Sequence, residues 1–288
     1  MSTPRWEALG EVSPSQVEEA RLELHHAAQL VTAVGRSLVP PRPDDGHTSL
    51  AWDGDLRGLV GQEVAGERVW RAGLVPDDLS LVVLVEGEIA HRRELGGLTK
   101  GAARAWLEEK GLDHGAPSGR LTFEAPYAMP AHPVDAGQRF APPGDGSLAE
   151  VARWFADADA LLRDVAAGWP GAAPVRVWPH HFDIGSVLPL GAGADEDAPS
   201  IGIGLSPGDD GIPEPYFYVT PWPSLGAGES LPDLAAPGRW HREGWTGAVL
   251  TGADLVAAGD GEAQAARAAA FLAEAVSALR ARHEQRRR

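Results

Sequence analysis

The chain has 288 residues, enough to bury a large core as one big domain or two of ordinary size. Its 25 Lys+Arg against 41 Asp+Glu give a formal charge of −16, which repels phosphate backbones and anionic lipid and argues against nucleic acid as a partner. The absence of Cys removes disulfides, thiolate metal sites and cysteine nucleophiles together.

Residues Met1 to Glu19 carry Glu7, Glu11, Glu18 and Glu19 and no apolar core of a secretory signal, so the cytoplasm is the expected compartment. Ser13-Pro14-Ser15-Gln16 reads as an N-cap, a Pro at the first helical position and a capping-box Gln. The helix that follows has Val17, Leu24, Val31 and Leu38 at sevenfold spacing and ends before Pro40-Pro41. Within it, His25 and His26 lie about 100° apart, do not make an i,i+4 metal pair, and are read as structural or surface residues. Strand patterns at His47 to Trp52, Arg68 to Val75 and Leu79 to Val85 predict an antiparallel meander. The last of these, the longest apolar run, is far short of the roughly 20 residues of a membrane helix. Thr99 then caps a helix through Lys110 that turns Ala102, Ala103, Trp106 and Leu107 inward, and Gly111 stops it. Asp113 to Gly146, rich in Pro and Gly, reads as a linker with one strand near Leu121 to Phe123.

Ser147 and Glu150 form a second capping box, ahead of a stripe of Val151, Trp154, Phe155, Ala158, Leu161, Leu162 and Val165. Strand patterns follow at Val175 to Leu188, Ser200 to Leu205, Tyr216 to Thr220 and Trp245 to Leu250. A closing helix from Glu262 to about Arg282 is built on Phe271, Ala275, Val276 and Leu279. Its end, with Arg280, Arg282, His283, Arg286, Arg287 and Arg288, reads as a solvated basic terminus. The fold class is therefore α+β, two β-meander regions each flanked by helices, with halves at 1–112 and 147–288 and a linker at 113–146. Gly73-Leu74-Val75-Pro76-Asp77-Asp78 echoes Gly204-Leu205-Ser206-Pro207-Gly208-Asp209, which an internal pseudo-repeat or the chance recurrence of common Gly, Pro and Asp would produce.

Chemistry-bearing residues concentrate in the second half. Alternation through a single strand from Val175 to Val187 would put His181 and Asp183 on one face and bury His180 with Trp178, Phe182 and Ile184 on the other. Pro179 would interrupt the ladder there. His180, His181, Asp183 and the Pro-flanked Glu214 are thus candidate acid–base residues. His181, Asp183 and His241 have the shape of a two-His, one-carboxylate metal triad for zinc, iron or manganese. That pattern is of low specificity, since His241-Arg242-Glu243 supplies a second H-x-[DE]. Trp178, Tyr216, Tyr218, Trp240, Arg242 and Trp245 are candidate ligand contacts, in which Tyr216 and Tyr218 share a strand face opposite Phe217 and Val219. No Walker loop, Rossmann fingerprint, G-x-S-x-G or H-E-x-x-H occurs.

Trp178-Pro179-His180-His181-Phe182-Asp183, Gly202-Ile203-Gly204-Leu205-Ser206-Pro207-Gly208-Asp209, Pro213-Glu214-Pro215-Tyr216-Phe217-Tyr218-Val219 and Trp240-His241-x-Glu243-Gly244-Trp245 resemble a family of bacterial proteins of unknown function. The resemblance lies within about Val175 to Leu250 and implies a cytoplasmic bacterial protein, with no role for any residue. Three readings stay open: a small-molecule or metal-dependent enzyme, a non-catalytic binding module with an aromatic cleft, and a structural or protein-interaction protein.

Overall fold

The computed structural model describes residues 6–117, 121–191, 198–226 and 229–286. The fold is α+β, with two antiparallel sheets of five and six strands, as the hydrophobic patterning predicts. Among the described residues no helix is long and apolar enough to cross a membrane. Two compact units divide the chain. Gln16–Ala152 with Arg176–Phe182 form the first, and Met1–Ser15, Arg153–Val175 and Asp183–Arg288 form the second. They are called the N-terminal and C-terminal units below.

In the N-terminal unit, α1 (Glu18–Leu38) packs on a meander of β1 (Ala51–Asp53), β2 (Gly58–Val60), β3 (Trp70–Val75), β4 (Ser80–Val85) and β5 (Glu88–Glu94). The central strand β4 is buried along its whole length, whereas the outermost, β5, is exposed at six of its seven residues. Strand β5 is absent from the sequence-based expectation because Glu88, Arg92, Arg93 and Glu94 give it the composition of a loop. Helix α1 begins later than expected: Pro14–Gln16 form a 3-10 turn, and Ser13 Oγ meets Ser15 Oγ rather than capping a helix.

Helix α2 (Lys100–Asp113) is capped by Thr99 as predicted, its Oγ1 accepting from the Ala102 amide. Gly111 does not stop it. The helix runs through a buried Gly111, where the Trp70 indole lies only 3.5 Å from the position a Cβ would occupy. Ala102 points to solvent, while Ala103 and Leu107 face the core. The stretch expected as a linker is folded onto the unit, and Leu121 to Phe123 form no strand there. A 3-10 turn spans Pro133–Ala136, and Leu121, Val134 and Phe140 are buried. Residues 118–120 of that stretch lie outside the described residues.

The pattern Val175 to Leu188 does not form one strand. It splits into β6 (Arg176–Trp178), counted with the N-terminal unit, and β7 (Asp183–Pro189) in the other, with a turn over Pro179 to Phe182. Leu50 and Val177 exchange backbone hydrogen bonds of 2.9 and 2.8 Å.

Helix α3 (Ser147–Ala167) enters the C-terminal unit at Arg153. Ser147 lies inside it rather than capping it, and the Asp145 carboxylate takes both the Ser147 amide and hydroxyl. Strands β7, β8 (Ser200–Ser206), β9 (Tyr216–Trp222), β10 (Arg239–His241) and β11 (Gly247–Thr251) pair antiparallel in the order β10-β11-β9-β8-β7. After the short α4 (Gly252–Val256), α5 (Gly261–Arg286) buries Phe271, Leu272, Ala275 and Leu279. It packs against β8, β9 and β11, whose facing positions include Ile203, Phe217, Val219 and Ala248. Two of the basic end residues, Arg282 and Arg286, pair with Glu229, whereas Arg287 and Arg288 lie outside the described residues, as do Met1 to Arg5 of the leading segment. The echo motifs each close a strand, β3 and β8 respectively.

On α3, Trp154, Phe155, Ala158 and Leu162 are buried, while Leu161 and Val165 are half-buried. The Trp154 indole rests against Gly252, where a Cβ would lie 3.3 Å from it. Trp154→Ala should therefore destabilise the protein by about 3–5 kcal/mol as a large core truncation. Urea unfolding checks this, and an unchanged midpoint would show that the α3 stripe is not a core contact.

Candidate functional site

In the C-terminal unit one sheet face packs on α5, and the opposite face carries the tyrosines. Tyr218 of β9 lies across Gly204 of β8 and Gly185 of β7, which pair with each other in register. A Cβ on these glycines would stand 2.3 and 2.8 Å from the Tyr218 hydroxyl oxygen, so only glycine admits the ring. At the far side that hydroxyl donates to Asp183 Oδ2 at 2.5 Å. Tyr216 donates to Asp209 Oδ2, also at 2.5 Å, and Asp209 Oδ1 accepts the Gly211 and Ile212 amides, which fixes the loop ahead of β9. Trp245 stacks on Tyr216 and meets the His241 ring at 4.6 Å. Burial first, then the neighbouring carboxylates, raise both phenols well above the ordinary tyrosine range. They are protonated donors that anchor this face and do not serve as bases.

The other candidates of this unit are committed elsewhere. Glu214 Oε2 accepts the Ala253 amide at 2.6 Å, at the first turn of α4. Trp240 pairs with Ala248 and so points to the face opposite the tyrosines, its Nε1 donating to the Pro232 carbonyl. Arg242 donates to the Glu229 carbonyl. His241 Nε2 donates to the Glu243 carbonyl at 2.7 Å, which removes that nitrogen from metal binding. Asp183 and His241 belong to this unit and His181 to the other. Among the described residues no group of three His, Asp or Glu side chains is placed to hold a metal ion.

In the N-terminal unit Trp178 ends β6, while His180 and His181 stand on a turn rather than a strand, which overturns the alternation argument for His181 and Asp183. Pro179 brings no amide to a ladder, and Phe182 adopts φ 57°, a left-handed conformation costly for an aromatic residue. The turn is held from α1. His25 Nε2 and Gln29 Nε2 both reach the Pro179 carbonyl, at 2.8 and 2.7 Å, and the His25 ring stacks on Phe182 at 5.1 Å. Tyr127 donates to Gln29 Oε1 in turn. His180, expected in the core, is exposed, as is His181, and their rings lie 4.4 Å apart. The Trp178 and Tyr127 rings flank His180.

A third constellation escaped the sequence reading. Lys100, Arg104, Leu121, Phe123, Val134 and Asp135 line a cleft of about 580 Å³ in the N-terminal unit. Lys100 Nζ sits 2.6 Å from Asp135 Oδ1, and Asp135 Oδ2 faces His26 Nδ1 at 3.3 Å. His26 is fully buried, contacts the Pro130 carbonyl through Nε2 at 2.9 Å, and stacks on His132 at 4.9 Å. His132 Nε2 lies 3.9 Å from Glu23 Oε1, which accepts the Ala141 amide. Burial lowers the His26 pKa and raises that of Glu23. Arg104 lies over the Phe123 ring at 4.5 Å and donates to the Leu121 carbonyl. The available signals were slight: a helix segment from His25 to Gly35 with no charged residue, and His132-Pro133-Val134-Asp135 inside a proline-braced stretch.

No protein-family model, no curated protein and no solved structure matches the chain.

Two pH effects follow from these environments. Burial, against a weaker opposing hydrogen bond to Pro179, lowers His25 to about 4. The unfolded chain, with an ordinary histidine pKa near 6.5, takes up this proton first as pH falls. Stability from neutral His25 is complete above about pH 6.5 and should drop by about 3 kcal/mol on passing to about pH 4. His25→Phe, which keeps the ring stack and leaves Gln29 on Pro179, should remove most of that slope in urea unfolding. A slope equal to that of the unchanged protein would disprove the assignment.

All three tyrosines, Tyr127 included, are raised chiefly by burial. Their contribution to stability is held below about pH 10 and lost as pH rises above it. Ultraviolet phenolate absorbance should accordingly stay near zero at about pH 10, where a free tyrosine is half ionised, and should rise only with unfolding. Half-ionisation of the folded protein there would contradict it.

Proposed function

We propose that the chain is a small-molecule-binding protein whose ligand site is the cleft at Lys100, Arg104 and Asp135, and that the ligand is a small organic anion with an apolar body. What carries this reading is the placement of a buried polar line behind an open cleft. Burying Glu23 and His26 is unfavourable unless partners compensate, and an apolar filling would serve packing better. Their arrangement instead fixes Asp135, and through it Lys100, at the wall of a cleft of ligand size. Lys100, paired with Asp135, and Arg104, paired with Glu108 and the Leu121 carbonyl, bring two cations to one cleft, where an anion would take the place of those partners. Phe123, Leu121 and Val134 offer the apolar surface for the rest of the ligand.

This reading places the protein among binding modules rather than assigning it a chemical step. The exposed His180 and His181 and the tyrosine-bearing face of the C-terminal unit remain without a proposed ligand. The acidic charge supports a protein that avoids nucleic acid. The resemblance to the bacterial family of unknown function is compatible with it and adds no role.

Thermal denaturation in the presence of benzoate or phenyl phosphate, with benzyl alcohol as the uncharged control, tests the proposal. Either anion should raise the melting temperature in a concentration-dependent way by binding the folded state, and benzyl alcohol should not. Replacing Lys100 and Arg104 together by Met should weaken anion binding by about tenfold or more. Equal stabilisation of the double variant, or no stabilisation by either anion, would reject the site.

A further inference from the structure

The line from Lys100 to His26 has a property that static binding does not use. The Pro130 carbonyl can only accept, so the His26 nitrogen facing it, Nε2, carries a hydrogen. In the neutral ring the other nitrogen, Nδ1, is then a bare acceptor, and it faces a second acceptor, Asp135 Oδ2, at 3.3 Å. Two acceptors in that position attract only if a proton sits between them. Lys100 supplies the counter-charge that Asp135 otherwise lacks, from the opposite carboxylate oxygen at 2.6 Å.

We infer that anion capture in the cleft is proton-coupled: as Lys100 turns from Asp135 to the ligand, one proton from solution binds His26 Nδ1 and replaces Lys100 as the partner of Asp135. The inference rests on the ligand site proposed above and specifies how that site is regulated. Charges balance in the exchange. The Lys100–Asp135 pair, a free anion and a proton become a Lys100–anion pair and an imidazolium–Asp135 pair. The groups that face His26 are His25 on α1, His132 and Asp135 on the segment after Pro130, and Lys100 on α2. Of these, Asp135 alone favours the imidazolium, while Lys100 and His132 oppose it. Glu23, beyond His132, stands against the second ring rather than the first. Withdrawal of Lys100 therefore removes an opposing charge and frees the favouring one in a single movement. Affinity for the anion should rise as pH falls below neutrality, and the rise should continue below the ordinary histidine range, because burial lowers His26 in the free protein.

Isothermal titration of the full chain with phenyl phosphate, near pH 7 in two buffers of different ionisation enthalpy, reads the proton directly. The expected result is a net uptake of up to about half a proton per ligand bound, the most a shift of about one pH unit can give, growing as the pH is lowered from about 7 toward about 6. It should fall to near zero in His26→Gln, whose residual binding is titrated in the same two buffers. Imidazole NMR of ligand-free Lys100→Met provides a second measurement on a side chain that is not part of the core. There the titration midpoint of His26 should rise by about one pH unit relative to the unchanged protein. Binding without proton uptake, or uptake that NMR locates on His132 or that survives in His26→Gln, would overturn the coupling while leaving the ligand site intact. An unmoved His26 midpoint in Lys100→Met would overturn it even if His26→Gln failed to fold. Absence of any phenyl phosphate binding would reject the coupling together with the site itself.

Discussion

Helix α1 is buried on nearly every side from Ala20 to Gly35, and that burial governs the rest of the N-terminal unit. A helix so enclosed takes Glu23, His25, His26 and Gln29 out of water along with its apolar residues, and each then needs a partner. The partners come from chain outside the α-helices and strands. Pro130 and Pro179 offer carbonyls, Ala141 an amide, Tyr127 a hydroxyl and Asp135 a carboxylate. The proline-rich stretch and the turn after β6 are thus organised from the helix outward, by polar contacts rather than by strand pairing. Both sites of interest in this unit, the His180–His181 turn and the Asp135 cleft, are consequences of that one enclosed helix.

The same fact explains what could be read in the sequence and what could not. The sevenfold stripe of Val17, Leu24 and Val31 identified the helix, because apolar periodicity records the face toward a core. It did not reveal that the opposite side is covered too, since Glu23, His25 and His26 interrupt the apolar pattern as surface residues would. The segment after Asp113 has no periodicity, so hydrogen bonds from distant residues give its order, and no local rule anticipates them. Alternation failed at Pro179 for a related reason. A proline without an amide and a left-handed Phe182 turn the chain, and residues on either side of the turn no longer obey one strand's parity.

The C-terminal unit was more legible because its order is mostly that of a sheet. Ile201-Gly202-Ile203-Gly204 and Tyr216-Phe217-Tyr218-Val219 alternate cleanly, and the apolar members of both strands face α5. Cross-strand register was the missing quantity. Gly204 and Gly185 form the floor beneath Tyr218 only because β8 sits between β7 and β9 in that register, which spacing along one strand does not encode. Pro-flanked Glu214 shows the same gap from the other direction. Its carboxylate is held in place by the Ala253 amide at the first turn of α4, a partner that the flanking prolines do not reveal.

Strand β5 has a further consequence for how the protein behaves in company. Its neighbour β4, Ser-Leu-Val-Val-Leu-Val, is an uncharged run of six buried residues with high strand propensity, the composition that pairs readily with another copy of itself. Strand β5 occupies the open edge that β4 would otherwise present. It carries Glu88, Arg92, Arg93 and Glu94 into solvent, and its register with β4 shifts between Val83 and Leu84. Charge and irregularity at a sheet border discourage an incoming strand from adding to the ladder. The least apolar strand of the meander thus shields its most aggregation-prone one.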